Sequence, residues 1–334
     1  MLHDPQITNH ESPFASAQGK TATDLRSDVR SALRDAMAQL ERERIPSAPL
    51  TAELLLMHAL GRDRTFLYAH PEHELDAATR ERYSALIAKR ASGVPTQYLT
   101  GHQEFWGLDF EVTPDVLIPR PETEHVIEVT LQRLDAAVAG AASQRDVEPR
   151  IADIGTGSGC IAIALAHELS SARITATDIS AAALEVARRN AARHGAASRI
   201  DFVECNLLDA LLHESRFTNH PSDSLMASQS RRLDLIVSNP PYIGRKDAVT
   251  LPREVREHEP ESALFGGETG TEMYAPLIAQ AAKLLKSGGI LVLELGYNSA
   301  DDVLRLLDTN EWSDVAITND LAGIKRIASA RRSS

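Results

Sequence analysis

The chain has 334 residues, more than an ordinary domain of ~100–200 residues holds, and its 43% hydrophobic and 25% charged residues suffice for normal cores, so two domains are expected. Its 35 basic against 47 acidic side chains give a formal charge of −12, which works against any binding dominated by phosphate neutralisation and so against a nucleic-acid substrate. No stretch approaches the ~18 consecutive apolar residues of a bilayer-spanning helix, and the start lacks the basic-then-apolar layout of a secretory signal, which predicts a soluble, cytoplasmic protein.

Residues 1–20 are polar and rich in His, Ser, Gln and Pro, and read as a disordered tail. Residues 21–93 read as a helical domain. Leu25, Val29, Leu33, Met37 and Leu40 recur at three- and four-residue steps behind a Thr23/Asp24 start, a second helix runs from Ala48 to Leu60 closed by Gly61, and a third from Ala77 to Ala91 ahead of Gly93. Breaks near Arg62 and Pro71 divide the bundle further. His70 and His73 share the segment Ala69-His70-Pro71-Glu72-His73-Glu74, which has no helix or strand pattern to hold metal ligands and reads as a solvated loop.

Residues 94–121 carry Phe105, Leu108, Phe110 and Val112, then Val116 and Ile118, an alternation broken by Gly107 and by Pro114-Asp115. That pattern predicts a connecting β-hairpin. From residue 122 to 334 the pattern changes to strands alternating with helices. Pro121 suits the first turn of a helix running from Glu122 to about Ala139 and ending at Gly140, with Glu122 and Glu124 near its positive end. After a polar, alanine-rich stretch, strands are expected at 151–154, 173–177, 200–204, 233–238, 290–295, 312–318 and 324–330. Such alternation predicts a mostly parallel, doubly wound sheet whose ligands bind at the carboxyl ends of the strands. Between Leu211 and Arg232 a polar stretch without period reads as a surface insertion.

Two motifs at strand ends carry the chemistry. The first is Asp153-Ile154-Gly155-Thr156-Gly157-Ser158-Gly159-Cys160 before an apolar helix. Missing Cβ atoms let a backbone approach a ligand, but the spacing is G-x-G-x-G and not the G-x-G-x-x-G of dinucleotide-binding loops. A second strand then ends in Asp178, at the distance expected of a carboxylate that binds ribose hydroxyls; the same residue could cap the helix that follows. The second motif is Asn239-Pro240-Pro241-Tyr242, directly after the apolar run Leu233-Asp234-Leu235-Ile236-Val237-Ser238. The side-chain oxygen of Asn239 and the carbonyl of Pro240 are each able to accept one N–H bond, the prolines stiffen the loop, and Tyr242 offers a ring face for stacking. This set suits a flat, conjugated NH2 group, hence a methyl acceptor of amide or adenine type; the same residues would also build a rigid strand-to-loop turn. Cys160 and Cys205 show neither pairing nor metal-ligand spacing and read as two buried thiols, and no metal ligands are expected.

In their order and setting, Asp153, Gly155–Gly159, Asp178 and the Asn239–Tyr242 loop resemble class I S-adenosylmethionine-dependent methyltransferases. Further segments resemble the release-factor glutamine methyltransferases, the HemK/PrmC family: Gly93-Val94-Pro95-Thr96-Gln97-Tyr98, Gly101-His102-Gln103-Glu104-Phe105, Leu117-Ile118-Pro119-Arg120-Pro121-Glu122-Thr123-Glu124, Glu259-Pro260 and Ala263-Leu264-Phe265-Gly266-Gly267. The resemblance covers about Thr51 to Arg331. It implies a Rossmann-like, seven-stranded α/β domain with a small N-terminal helical bundle that recognises a protein substrate. The implied activity is methylation, from S-adenosyl-L-methionine, of the glutamine side-chain amide nitrogen in the Gly-Gly-Gln motif of class I peptide chain release factors. On that reading Gly155, Thr156, Gly157, Ser158, Gly159, Asp178, Leu207 and Asn239 hold the cofactor, Asn239, Pro240, Pro241 and Tyr242 hold the acceptor, and Asn239, Pro240 and Tyr242 carry catalysis. Asn206 and Leu207 depart from the methyltransferase pattern, which often has an acidic residue and an aromatic there, so weaker or backbone-mediated adenine contacts are expected. A ribosomal-protein glutamine methyltransferase, an adenine-N6 nucleic-acid methyltransferase and a silent cofactor-binding protein stay open as alternatives. A monomer without direct nucleic-acid contacts is the default.

Overall fold

The computed structural model describes residues 28–139, 148–213 and 232–334. The predicted tail, the Thr23/Asp24 start with Leu25, the Gly140 stop and most of the insertion between Leu211 and Arg232 lie outside those residues. The chain divides into two compact units, one ending at Ile87 and the other beginning at Ala88.

The first unit is helical. Helix α1 (Val29–Arg42) starts at Asp28, whose carboxylate accepts from the backbone N–H of Ser31 at 2.8 Å, and buries Val29, Ala36 and Leu40. Helix α2 (Ala48–Leu60) has proline in its first turn and stops at Gly61, which takes the left-handed conformation at φ 64°. A short helix α3 (Arg64–Ala69), capped by Asp63, fills the space between the two predicted breaks. Helix α4 (Ala77–Ala91) buries Tyr83 and Ile87, and the Tyr83 hydroxyl donates to the Ala52 carbonyl at 3.1 Å, so a core tyrosine is satisfied. His70 and His73 follow α3 in a loop and pack their rings on Phe66, with centroids 4.8 and 5.1 Å away.

The second unit opens with a single-turn helix α5 (Thr96–Thr100), too short to show a period in the sequence. The hairpin follows: β1 (His102–Phe105) pairs antiparallel with β2 (Leu108–Glu111) through Trp106 and Gly107. Both turn residues have positive φ, 54° and 71°, the backbone of a type I′ turn that matches strand twist. Phe105 and Phe110 point to one face, are fully buried, and meet edge to face with centroids 6.1 Å apart. Asn190 joins the hairpin to its neighbour, accepting from the Glu111 N–H and donating to the carbonyls of Glu111 and Ser158.

The seven-stranded sheet has the order β5-β4-β3-β6-β7-β9-β8. Its strands are β3 (Arg150–Ile154), β4 (Arg173–Asp178), β5 (Ile200–Glu204), β6 (Leu233–Ser238), β7 (Leu285–Glu294), β8 (Trp312–Asn319) and β9 (Lys325–Arg332). Strands β3 to β7 pair in parallel, and β9 runs antiparallel to both its neighbours. Alternate residues feed opposite cores: Ile151, Leu235, Val237, Ile290 and Val292 pack with α6 (Glu124–Ala139) and α7 (Cys160–Glu168), while Ala152, Ile154, Ile236, Leu291 and Leu293 pack with the helices Tyr274–Leu284 and Ala300–Leu307. This two-sided burial is why the strands read as apolar runs.

Three element starts differ from the sequence reading by more than one residue. Helix α1 begins at Val29 and not behind Thr23/Asp24, because Asp28 takes an extended backbone and caps the first turn. Helix α6 begins at Glu124 and not at Glu122, because Pro121–Thr123 form a 3-10 turn closed by the Thr123 N–H on the Arg120 carbonyl. Strand β7 begins at Leu285, which pairs with Leu233 before the register shifts and continuous pairing resumes at Ile290. Among the described residues no helix is long and apolar enough to cross a membrane.

Candidate functional site

Strand order reverses direction between β3 and β6, and a crevice opens there at the carboxyl ends of the parallel strands. It holds a cavity of about 290 Å³. Gly155 and Gly157 from the loop after β3, Asp178 at the end of β4, Asn206 and Leu207 after β5, and Asn239, Pro240 and Pro241 after β6 all line it. Four segments far apart in sequence thus meet, as their placement at strand ends predicted.

The glycine loop divides into two functions. Gly155 and Gly157 have φ of 71° and 55°, and a Cβ on either would meet no atom within 4 Å. Their backbone stands against open space on the cavity side. Gly159 is a packing glycine: a Cβ there would lie 3.0 Å from Ile163 Cδ1 and 3.1 Å from the Cβ of Ala187, so its absence lets α7 and α8 (Ala181–Arg193) close on each other. Thr156 and Ser158 are also turned inward, 4% and 2% exposed, and neither lines the cavity. The Thr156 hydroxyl donates to Asp153 Oδ2 at 2.6 Å, and the backbone N–H groups of Gly155 and Thr156 both donate to the Thr177 carbonyl.

Asp178 accepts from the Gly157 N–H through Oδ2 and from the Ser180 N–H through Oδ1, each at 2.9 Å. It therefore ties the glycine loop to the residue before α8 while lining the cavity; the cap of α8 itself is Ser180, whose hydroxyl accepts from the Ala183 N–H, so the capping expected of Asp178 falls to Ser180. Burial raises its pKa and the backbone donors hold it down. Leu207 takes a left-handed backbone at φ 49°, uncommon for a leucine, and is held there by the Thr177 hydroxyl on its carbonyl at 2.8 Å. Cys160 is buried, whereas Cys205 is half-buried and lines the cavity; neither is in a disulfide.

In the loop after β6, the Asn239 Nδ2 donates to the Thr123 hydroxyl oxygen at 3.0 Å, and Asn239 Oδ1 has no partner among the described residues. Tyr242 does not line the cavity. Its hydroxyl donates to Glu294 Oε1 at 3.2 Å and its ring packs against Gly296, where an added Cβ would come within 3.1 Å of Cδ2. A second loop supports the backbone from the other side. The Ile243 N–H donates to Leu264 O, the Gly266 N–H donates to Ile243 O, and a Cβ on Gly266 would stand 2.1 Å from Pro241 O.

Several lining residues carried no site assignment in the sequence: Asp115, Val116 and Leu117 on one wall, Phe265 and Met273 on another. The Ala263–Gly267 run was visible as a motif but not as the support of the Asn239 loop, a relation that only the fold supplies. Among the described residues no cluster of His, Cys, Asp or Glu stands where it could hold a metal ion.

Two fully buried carboxyls flank the crevice. Asp153 and Glu294 are both 0% exposed, each with one oxygen that makes no hydrogen bond, and burial pushes the pKa of each up to about 7. For Asp153 this rise from 3.8 means that the folded chain retains a proton the unfolded chain has released. Its contribution to stability is full below about pH 4, declines as pH rises and is gone above about pH 7. Asp153→Asn is therefore expected to raise stability above pH 7, by an amount on the order of 4 kcal/mol at most, and to change little near pH 4. Denaturant midpoints at pH 8 and pH 4 check this; an equal shift at both would show that the charge is not the cause.

Comparison with known proteins gives a consistent result. Residues 31–101 match the PrmC N-terminal domain and residues 146–321 match a methyltransferase domain. Three curated relatives, each named release factor glutamine methyltransferase, are similar over nearly their whole length. That of Koribacter versatilis is 41% identical, covering 91% of this chain and 98% of the relative. That of Nitratidesulfovibrio vulgaris is 40% identical, covering 90% and 94%, and that of Chlorobaculum tepidum 42% identical, covering 88% and 94%.

Proposed function

The chain belongs to the release factor glutamine methyltransferase family, and we propose that it methylates the side-chain amide nitrogen, N5, of the glutamine in the Gly-Gly-Gln motif of class I peptide chain release factors. It acts in the cytoplasm, as a monomer, with S-adenosyl-L-methionine as donor. The crevice suits that donor: open backbone at Gly155 and Gly157, a carboxylate at Asp178 for ribose hydroxyls, and an apolar wall at Leu207 share one cavity. When bound, S-adenosylmethionine supplies a sulfonium methyl group for in-line displacement.

The chain's own residues have to solve the problem of a poor nucleophile, since an amide lone pair is delocalised into its carbonyl. Asn239 Oδ1 and the Pro240 carbonyl each accept one N–H of the glutamine amide, which fixes the plane of the NH2 group. Neither oxygen has another partner among the described residues. Holding the nitrogen in a near-attack geometry is worth on the order of 7–11 kcal/mol in favourable cases. No side chain is assigned as general base, because the nitrogen becomes strongly acidic as it alkylates and loses its proton late. Tyr242 serves from behind, anchoring the loop through Glu294.

The observation that carries this reading is the free Asn239 Oδ1 on the same cavity as Asp178 and the glycine loop. Incubating the protein with labelled S-adenosylmethionine and, separately, a release factor, a ribosomal protein and DNA tests it. One added methyl on the Gly-Gly-Gln peptide, located by mass spectrometry, is expected; label only in ribosomal protein or in DNA would replace this reading with one of those.

A further inference from the structure

The chain from Thr113 to Arg120 forms neither helix nor strand, so no ladder of backbone bonds fixes its position. This strap nevertheless supplies one wall of the crevice, through Asp115, Val116 and Leu117. Another wall, formed by Ser262, Ala263 and Phe265, belongs to the loop whose Gly266 lies against Pro241. In-line transfer is sensitive to the spacing of such walls, because a misplacement near 1 Å already slows a reaction severely. Something must hold the strap in place.

Two fastenings do so. At the first, the Tyr98 hydroxyl donates to the Val116 carbonyl at 2.7 Å, and Val116 packs with Val112, Ala183 and Val186. The second is a single side chain: Glu259 accepts from the Ile118 N–H through Oε2 at 3.3 Å and from Arg120 through Oε1 at 2.5 Å. The Glu259 side chain is 1% exposed and that of Arg120 31%. A carboxylate so deeply buried is tolerated only where its oxygens are well engaged, and here both are. Glu259 stands just before the short helix Glu261–Leu264, which carries Ser262 and Ala263 into the cavity wall. From that helix the Leu264 carbonyl accepts from the Ile243 N–H, and the Ile243 carbonyl accepts from the Gly266 N–H. One bonded path therefore runs from the strap through Glu259 to the loop of Asn239.

We propose that Glu259 and Arg120 are positioning residues that hold the strap at a fixed distance from the Asn239 loop, so that the methyl donor and the acceptor nitrogen stay aligned. The inference rests on the amide-methylating reading above. Glu259→Ala removes both bonds of the second fastening: kcat, measured well below the unfolding midpoint, falls by about 10²-fold, while affinity for S-adenosylmethionine changes by no more than a few-fold. Arg120→Gln is comparably damaging, because it leaves unpaired a carboxylate that water barely reaches. Glu259→Gln keeps an oxygen for the Ile118 N–H and leaves a guanidinium that solvent does reach, so it loses only a few-fold. The double variant Arg120→Gln with Glu259→Gln therefore turns over faster than Arg120→Gln alone. Amide hydrogen exchange reads the fastening without any acceptor: the Ile118 N–H exchanges about tenfold faster in Glu259→Ala than in the wild-type chain. If Glu259→Ala fails to fold, the glutamine variants carry both measurements. Wild-type kcat in Glu259→Ala, a double variant no faster than Arg120→Gln, or Ile118 exchange that does not change would each overturn the proposal. A wild-type chain that leaves the Gly-Gly-Gln peptide unmethylated overturns the assigned activity instead, and Ile118 exchange then decides alone whether Glu259 fastens the strap.

Discussion

Asn239→Ala is expected to lose on the order of 10²–10³-fold in kcat, the usual cost of removing one aligned polar group from a reacting centre, while retaining its affinity for S-adenosylmethionine. The side chain has a single hydrogen bond among the described residues, to Thr123, and its oxygen has none, so on the proposed mechanism truncation removes a contact to the glutamine and none of those made by Asp178 or the glycine loop. Single-turnover rates on a Gly-Gly-Gln peptide, beside calorimetric titration with S-adenosylmethionine, separate the two quantities. Turnover at the wild-type rate would take Asn239 out of the mechanism.

Gly266→Ala is expected to be nearly as damaging, for a reason that involves no chemistry at all. The new Cβ would sit 2.1 Å from Pro241 O, with Pro241 C and Gly270 O both 2.9 Å away. All three are backbone atoms, so no rotamer change relieves the overlap; one of the two loops has to move. A displacement near 1 Å is enough to cost about 10²-fold in rate, and the overpacking adds about 1–3 kcal/mol of destabilisation. Gly288→Ala provides the control. Gly288 has φ of 75° but nothing within 4 Å of where an added methyl would stand, so the change costs only the backbone penalty of about 1–2 kcal/mol and leaves the rate intact. Equal activity of the two variants, measured at saturating donor, would show that Gly266 does not set the position of the Asn239 loop.

What was legible in the sequence follows the physics of periodicity. The strands showed as short apolar runs because the sheet is covered on both faces, and the crevice could be placed because parallel strands of an α/β sheet bind ligands at their carboxyl ends. Hidden from sequence were relations between distant residues with no period. Thr123 and Asn239 are separated by 116 positions, and nothing in either segment announces the hydroxyl–amide contact. Tyr242 could be read as an aromatic near a ligand, but which way its ring turned depended on Glu294, the last residue of β7, and on Gly296 just beyond it. Within the glycine loop, all of Gly155, Gly157 and Gly159 have positive φ, yet only the neighbours of each distinguish a glycine facing the cavity from one that lets two helices touch.

The placement of β9 between β7 and β8 has a consequence for how the protein is made. Strand β8 leaves the ribosome before β9 and has no other strand to pair with, so it must wait, unzipped, until β9 is synthesised and slots in between. The parallel half of the sheet, with the glycine loop and the Asn239 loop already built, is free to assemble earlier. A nascent chain halted just before Lys325 would then carry most of its crevice beside an exposed β7 edge, a state open to chaperone capture or to pairing with another unfinished copy.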